Sequence, residues 1–309
     1  MKVLVTGGAG FIGANLCRHL ERAPGVDEVV AFDDLSTGLR ENLDGCSAKL
    51  VEGTILDREA LEAACSDVAA IVHLGARPSV PRSVADPVAS HDVNATGTLN
   101  VLEAARRAGD VHVVAASSSS VYGANPTLPK HEDLAPRPLS PYAASKLATE
   151  SYTLAWQHSY GLPTLAFRFF NVFGPLQPAG HAYAAVVPAF VSAALAGEPL
   201  PVHGDGTQSR DFTYVDTVCA VITDAVLRRV TSPEPVNLAF GSRTTLLEVI
   251  DLLSELLGEE LPVRHTEPRV GDVPHSQASN DRLLELFPDI RPVELREGLK
   301  ATIDWFRSR

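Results

Sequence analysis

The stretch KVLVTGGAGFIG, residues 2–13, decides the fold, because a short apolar run leads into clustered glycines and then into a segment with helical spacing. Gly7, Gly10 and Gly13 follow a GxxGxxG spacing, and with Gly8 the stretch also fits GxGxxG. Glycines at these positions allow a tight turn, close approach of the backbone to a pyrophosphate, and close packing of helix on strand. The start of the helix offers free N–H groups and a positive dipole end to phosphates. The stretch therefore predicts a strand–turn–helix unit that binds a dinucleotide.

A second strand-like run, EVVAFDD at residues 28–34, ends in two aspartates after the glycine stretch. A carboxylate at Asp33 can accept both hydroxyls of an adenosine ribose and would repel a 2′-phosphate, which favours NAD over NADP. The alternative at this point is that Asp33 and Asp34 only cap a helix or stabilise a turn.

The composition is that of an ordinary globular protein, with 45% hydrophobic and 21% charged residues in a chain of 309. A net charge of −12 disfavours nucleic acid and anionic membranes as partners. We expect no signal peptide and no membrane span, because the first residues and the later apolar runs fit neither. The four cysteines lie far apart and the ten histidines form no metal pattern, so we expect a cytoplasmic protein without disulfides or a metal.

Short apolar runs alternate with helical patterns through the first half of the chain. AIVHLGA at residues 70–76, VHVVAASS at 111–118 and PTLAFRFFNVFG at 163–174 are typical of strands, and 11–23, 88–109 and 140–161 of helices. This alternation predicts a Rossmann-type doubly wound parallel sheet. We expect an NAD-binding domain at residues 1–170 and a smaller, intimately packed α/β substrate domain at 171–309, with some later segments packing back on the first. Further helices are predicted over 182–197, 214–229, 244–258 and 293–308.

Tyr142 and Lys146 lie four residues apart in SPYAASK, residues 140–146, so a helix places both on one face. A tyrosine with an ordinary pKa of about 10 is a poor base at neutral pH. A neighbouring ammonium and the positive charge of an oxidised nicotinamide would favour its phenolate form. The alternative is an exposed amphipathic helix, since this spacing is common by chance.

The ordered motifs TGGAGFIG, SSSSVYG, SPYAASK, RFFNVFGP, GDGTQSRDFTYVD and RVGDVPHSQAS resemble the extended short-chain dehydrogenase/reductase family over nearly the whole chain. Within that family the chain is most similar to UDP-sugar 4-epimerases of the UDP-N-acetylglucosamine group. The resemblance implies NAD as the cofactor. It also implies a set of cofactor contacts: Gly7, Gly10, Phe11, Ile12, Gly13, Asp33, Asp34, Ser36, Thr37, Gly38, Thr54, Ile55, Leu74, Gly75, Ala76, Asn94, Ser117, Tyr142 and Lys146.

The resemblance makes Ser118 catalytic together with Tyr142 and Lys146, with Ser118 hydrogen-bonding the sugar 4-oxygen. Related 4,6-dehydratases carry one or two acidic residues directly after that serine or threonine, and related decarboxylases carry a glutamate. Here the two positions are Ser119 and Ser120. Serines do no acid–base work at neutral pH, so they favour simple epimerisation at C4 and can instead hydrogen-bond sugar hydroxyls or an acyl group.

The resemblance also implies how a UDP-sugar is held. Arg210 and Arg269 match arginines that bind the diphosphate, and guanidinium groups suit phosphate oxygens. Ser276 stands where hexose-restricted relatives carry a bulky tyrosine, which favours an N-acetylated sugar. The other implied substrate contacts are Ser79 (in a loop with Arg82), Ser118, Ser119, Ser120, Asn171, Val187, Val202, His203 and Asp272.

Three departures from the family pattern concern Thr54, Gly75 and Phe169, where relatives commonly have Asp, Ala and Tyr. The alternatives that stay open are a UDP-glucuronate or UDP-glucose 4-epimerase, a dehydratase or reductase of the same fold, and a non-catalytic NAD-binding regulatory protein. The family resemblance further implies a homodimer. Its interface would be formed by helices at residues 90–107 and 142–160 with the apolar residues Leu99, Leu102, Leu147, Leu154 and Trp156, which can equally serve the core of one chain.

Overall fold

A seven-stranded parallel sheet forms the centre of the molecule in this computed structural model, which describes residues 1–109, 111–179, 185–267 and 274–309. The strand order is β11-β6-β5-β4-β1-β2-β3, and every pairing is parallel. The order reverses beside β1, and sheets of this kind usually bind their ligand beyond the strand ends at such a reversal. The seven strands are β1 (Lys2–Thr6), β2 (Glu28–Asp33), β3 (Lys49–Glu52), β4 (Ala70–His73), β5 (His112–Ser118), β6 (Thr164–Phe169) and β11 (Val236–Leu238).

Six short strands build the smaller part of the molecule in three pairs. β10 pairs with β7 in parallel, β13 pairs with β8 in parallel, and β12 pairs with β9 antiparallel. Their bounds are β7 (Asn171–Phe173), β8 (Leu200–His203), β9 (Ser209–Arg210), β10 (Phe212–Tyr214), β12 (Thr244–Thr245) and β13 (Val263–Thr266).

Helices cover both faces of the central sheet. α4 continues through a π-helical turn at Asp92–Thr96 into α5, which makes one long helical segment. The helices are α1 (Phe11–Leu20), α2 (Arg58–Ala64), α3 (Val80–Ala85), α4 (Pro87–His91), α5 (Gly97–Ala108), α6 (Pro141–Tyr160), α7 (Val186–Leu195), α8 (Val215–Arg228), α9 (Leu246–Leu257), α10 (Asp281–Leu286) and α11 (Leu295–Arg307).

The inner strands of the central sheet are buried on both faces, as their apolar sequences predict. In β1, Val3 and Val5 pack into one layer and Leu4 into the opposite one. Because successive side chains of a strand point to opposite faces, one apolar run serves both layers. Within the described residues, no helix combines the length and apolar character needed to cross a bilayer.

Two elements from the second half of the chain complete the first half. β11 pairs with β6 at the edge of the sheet, and α8 packs on α1. Asn237 in β11 accepts the Tyr122 hydroxyl at 2.7 Å, which joins this edge to the turn after β5. The sheet that positions the site is therefore built by residues from both sides of position 170.

The predicted doubly wound parallel sheet is confirmed. The helix predicted over 140–161 is α6, and the segment predicted over 88–109 runs through α4 and α5 to Gly109, whose φ of 107° ends it. Part of the helix predicted over 182–197 lies outside the described residues, and the remainder contains α7. Among the described elements, the sequence analysis did not predict β3, α2, α3, α10 or the short strands β9, β10, β11, β12 and β13.

Candidate active site

The glycine turn after β1 is closed too tightly for other residues. Gly7 has a φ of 71°, and a Cβ on Gly13 would lie 2.1 Å from the Gly7 carbonyl oxygen. α1 begins at Phe11, and Gly10 before it contributes no side-chain cap. The first N–H groups of the helix therefore remain available to an external acceptor, as a pyrophosphate requires.

Asp33 lies beside this turn at the end of β2 and is 7% exposed. Its carboxylate accepts the N–H groups of Ala9 and Leu35, each at 2.9 Å. Burial raises the pKa of Asp33, and the two hydrogen bonds oppose that rise. A Cβ on Gly38 would lie 2.9 Å from both carboxylate oxygens. The site thus holds the carboxylate in one orientation and keeps the adjoining backbone close, which fits a ribose diol.

The other predicted cofactor residues lie along the same edge of the sheet. Asp34, Ser36 and Thr37 follow β2, Thr54 and Ile55 follow β3, and Leu74, Gly75 and Ala76 follow β4. Asn94 lies in the π-helical turn, and its side chain accepts the Arg77 N–H at 2.7 Å and donates to Ser145 at 2.9 Å. The amide of Asn94 therefore ties the loop after β4 to α6.

Tyr142 and Lys146 share one face of α6, which begins after the N-cap residue Ser140. Lys146 is buried and donates to the Ala116 carbonyl at 2.7 Å, and burial lowers its pKa to about 8. Burial also raises the pKa of Tyr142, while a hydrogen bond from the Ser118 hydroxyl opposes that rise. The structure thus brings Ser118 at the end of β5 to the tyrosine. That Ser118, Tyr142 and Lys146 act together in catalysis stays a prediction.

The four-serine stretch ends β5 and forms the short helical turn Ser119–Tyr122. Ser118 Oγ accepts the Ser120 N–H at 3.2 Å. Ser120 Oγ is buried and has no hydrogen-bond partner among the residues that the structure describes. A buried hydroxyl without a partner next to Ser118 is available to a bound substrate.

A cavity of about 220 Å³ lies in the smaller part of the molecule. It brings together four predicted substrate residues, Asn171, Val187, His203 and Arg210. Its remaining lining includes residues that the sequence analysis missed: Val172, Phe173, Ala185, Val186, Ala189, Phe190, Pro201, Gln208, Phe212 and Leu246.

Three other predicted substrate residues, Ser276, Ser79 and Val202, are not part of the lining of this cavity. Ser276 donates its N–H to the Ser209 carbonyl at 3.0 Å, which places it beside Arg210. Ser79 caps α3 with a φ of 98°, an unusual value for a serine. Val202 is completely buried in the core and is not part of the cavity lining. Arg269 and Asp272 lie outside the described residues.

Two further features of the catalytic helix escaped the sequence analysis. Ser83 of α3 accepts the Tyr142 N–H at 3.0 Å. Glu150, one turn after Lys146, forms a buried ion pair with Arg168 of β6 and accepts the Ser117 hydroxyl. The spacing of Tyr142, Lys146 and Glu150 along one helix face was a signal that could have identified Glu150.

The model of the NAD-dependent epimerase/dehydratase family matches residues 3–239 of this chain. The chain is 36% identical to the UDP-glucose 4-epimerase of Mycolicibacterium smegmatis over 318 residues, covering 100% of this chain and 99% of that protein. The structure of a UDP-N-acetylglucosamine 4-epimerase from Methanobrevibacter ruminantium, in complex with UDP-N-acetylmuramic acid, has a TM-score of 0.92 and 35% identity, covering 99% of this chain and 98% of the other. The Thermus thermophilus UDP-glucose 4-epimerase in complex with NAD has a TM-score of 0.88 and 37% identity, covering 99% of each chain. With the glycine turn, Asp33 and the Ser118–Tyr142–Lys146 group in place, the chain belongs to the NAD-dependent epimerase/dehydratase family.

Proposed function

We propose that this protein is an NAD-dependent UDP-sugar 4-epimerase and that its preferred reaction interconverts UDP-N-acetylglucosamine and UDP-N-acetylgalactosamine. The observation that carries the proposal is the catalytic group itself. Ser118, Tyr142 and Lys146 come together, while the two positions after Ser118 hold serines instead of the acids that elimination chemistry requires. Within this family, that combination favours oxidation and reduction at C4 without loss of water.

The residues divide the work between proton transfer and positioning. Tyr142 takes the proton of the sugar 4-hydroxyl through its phenolic oxygen, and Ser118 holds that oxygen by a hydrogen bond. Lys146 contributes positive charge and a donor for a ribose hydroxyl on the same helix face. NAD, when bound along the glycine turn and Asp33, supplies the hydride acceptor for C4, the hydride for its return, and a positive charge near Tyr142.

We assign the NAD-binding domain to residues 1–170 and the smaller part of the molecule to residues 171–309. The smaller part would hold the nucleotide diphosphate. Arg210 of β9 lines the cavity and suits phosphate oxygens, and Asn171 of β7, which pairs with β10, lines it too. The unpartnered Ser120 hydroxyl provides a hydrogen bond for the sugar or its acyl group. These features support a nucleotide sugar as the substrate.

Ser276 supports the N-acetylated sugar, because a serine leaves space that a tyrosine would fill. The second candidate substrate is UDP-glucose, which the names of the similar enzymes from M. smegmatis and T. thermophilus favour. The two candidates share the same residues and the same chemistry at C4, and they differ only in the group at C2.

The test is product analysis with UDP-N-acetylglucosamine, UDP-glucose and UDP-glucuronate, followed by the ratio of kcat/KM for the acetylated and plain sugars. We expect Ser276→Tyr to lower that ratio about tenfold or more, because overpacking costs about 1–3 kcal/mol and falls on the acetamido group alone. An unchanged ratio would show that Ser276 does not select the sugar. Turnover of UDP-glucuronate without turnover of the acetylated sugars would reject the preferred substrate.

A further inference from the structure

The carboxylate of Asp211, between β9 and β10, is completely buried and is held by neutral donors. Its Oδ2 accepts the N–H groups of Gly241 and Ala278, each at 3.0 Å, and its Oδ1 accepts the Ser242 hydroxyl at 2.9 Å. Within the described ranges, no Lys, Arg or His side chain forms an ion pair with it. Burial raises the pKa of Asp211, and the hydrogen bonds oppose that rise. A buried charge with neutral partners is costly, so its position calls for an explanation.

The donors around Asp211 come from two segments that are distant in sequence, and one of them carries Ser276. Residues 274–278 run alongside β9, where Ser209 donates its N–H to Pro274 at 3.0 Å and accepts the Ser276 N–H at 3.0 Å. The bond from Ala278 to Asp211 fixes the same segment two residues further on. Asp211 therefore helps to determine where Ser276 lies.

The backbone of Asp211 also connects to the cavity wall. Its carbonyl accepts the N–H of Asn171 at 3.3 Å and the side-chain amide of Asn171 at 3.4 Å. Arg210 directly precedes it, lines the cavity, and donates to the carbonyls of Ser209 and Pro274. One buried residue thus joins the three groups that we assign to the nucleotide sugar: Asn171, Arg210 and Ser276.

We propose that Asp211 is a positioning residue for the nucleotide-sugar substrate, which it serves by holding the turn at 241–242 and the segment at 274–278 against β9. The proposal rests on the function proposed above, because that function makes Arg210, Asn171 and Ser276 substrate contacts. Ser118 lies on β5, and Tyr142 and Lys146 lie on α6. Within the described part of the chain, Asp211 forms no hydrogen bond with any of these three residues. Its loss therefore weakens substrate binding and leaves proton transfer nearly unchanged.

The experiment compares Asp211→Ala and Asp211→Asn with the parent, each as the NAD-loaded enzyme. Isothermal titration calorimetry measures the dissociation constant of UDP. Steady-state kinetics with UDP-N-acetylglucosamine give kcat and KM, and differential scanning calorimetry gives the midpoint of thermal unfolding. We expect Asp211→Ala to raise the UDP dissociation constant and KM about tenfold or more, because small displacements of binding groups strongly weaken their contacts with the substrate. We expect kcat to change by less than about threefold, because the lost contacts bind the substrate and the transition state equally.

Asp211→Asn gives the intermediate case. The amide oxygen can still accept the two backbone N–H groups, but the amide nitrogen cannot accept the Ser242 hydroxyl. Glu132→Gln is the matched control, because Glu132 is a buried carboxylate that accepts the Asn237 N–H at 2.8 Å. We expect this control to leave the dissociation constant of UDP unchanged, even where it lowers the thermal midpoint.

A purely structural role would appear as a lowered thermal midpoint with unchanged UDP binding and unchanged KM in both Asp211 variants, and that result overturns the proposal. A fall in kcat at constant KM overturns it too. If Asp211→Ala fails to fold, Asp211→Asn decides the question. If the parent binds UDP but epimerises no UDP-sugar, the proposed function is wrong, while the comparison of UDP dissociation constants still decides the role of Asp211.

Discussion

At the scale of single residues, the proposed mechanism depends on the Tyr142 hydroxyl, which stays protonated at neutral pH in the protein without cofactor. Burial raises the pKa of Tyr142, the Ser118 hydrogen bond opposes it, and Lys146 itself has a pKa lowered to about 8. A site of this kind becomes basic only when more positive charge arrives. In the proposed mechanism, proton abstraction by Tyr142 is therefore coupled to occupation of the cofactor site.

Tyr142→Phe removes the phenolic hydroxyl that interacts with Ser118, so we expect kcat to fall about 10²–10⁴-fold or more. Ser118→Ala removes a supporting hydrogen bond and should cost less. We measure kcat with UDP-N-acetylglucosamine and the amount of NAD(H) released on denaturation. The amount of NAD(H) released should match that of the parent in both variants. Near-normal turnover by the phenylalanine variant contradicts the assigned mechanism.

His73 provides a pH-dependent stability term. It is buried at the end of β4, its Nδ1 hydrogen-bonds with Thr6 at 2.8 Å and its Nε2 with Thr98 at 3.0 Å. Burial, followed by the nearby Lys146 charge, lowers the pKa of His73 to about 3. Because the unfolded chain binds this proton below about pH 6.5 and the native state does not, acidification favours unfolding, and the stability is fully present only above that pH.

We expect His73 to account for about 2 kcal/mol of the free energy of unfolding lost between about pH 7 and pH 5. His73→Gln should lose correspondingly less over this interval, whatever its stability at neutral pH. Urea denaturation at the two pH values measures the difference. His158→Gln, at an exposed histidine on α6, is the control and should behave like the parent. Equal acid sensitivity of His73→Gln and the parent would contradict the prediction.

At the scale of elements, the position of α6 depends on a buried ion pair. Arg168 donates to Glu150 from Nε at 2.8 Å and from Nη2 at 2.7 Å, and both side chains are at most 5% exposed. The guanidinium also lies 4.7 Å from the centre of the Tyr122 ring. Since Glu150 follows Lys146 by one turn, the pair fixes the catalytic face of α6 against β6.

Glu150→Gln leaves the Arg168 charge buried without its partner, and we expect a loss of about 3–5 kcal/mol in the free energy of unfolding. The double variant Glu150→Met/Arg168→Leu should recover much of this loss, because buried apolar side chains replace both charges. Glu62→Gln breaks an exposed pair with Arg107 and should cost about 1 kcal/mol or less. Urea denaturation of the parent and the three variants gives the values, and a double variant no more stable than Glu150→Gln would contradict the coupling.

The same elements indicate what the sequence could predict. β1, β2, β4 and β5 are nearly continuous apolar runs with burial on both faces, so their pattern is unambiguous. KLVE in β3 has two apolar residues at an exposed edge and gives no such pattern. The local motifs identified Asp33, Ser118 and Tyr142. Ser83 hydrogen-bonds with a residue 59 positions away and Asp211 with residues 30 to 67 positions away, and no local pattern signals such contacts.

At the scale of the whole molecule, we expect a homodimer through α5 and α6. Leu102 is completely buried in the core of the chain, Trp156 donates to Glu103 at 3.0 Å, and Leu147 packs against the cluster around Tyr122. Leu99 and Leu154, like Leu147 and Trp156, are half-buried, so part of each side chain can contact a second copy.

Sedimentation velocity at micromolar concentrations should therefore give the mass of two chains. Leu99→Glu and Leu154→Glu should shift the protein towards the monomer, because a charge in an apolar interface is desolvated without a partner. Leu247→Glu changes an exposed leucine on α9 and serves as the control. A monomeric parent over this concentration range would contradict the prediction.

The pairing of β11 with β6 has a consequence for synthesis on the ribosome. β6 pairs with β5 on one side and with β11 on the other. Until residues 236–238 have left the ribosome, β6 can therefore pair only with β5. An unpaired edge of a largely apolar sheet is prone to pair with another chain. During synthesis, the nascent chain therefore exposes an unpaired, aggregation-prone edge of β6 after the strands before it are complete. A fragment that ends near residue 170 lacks β11 and would keep this edge exposed.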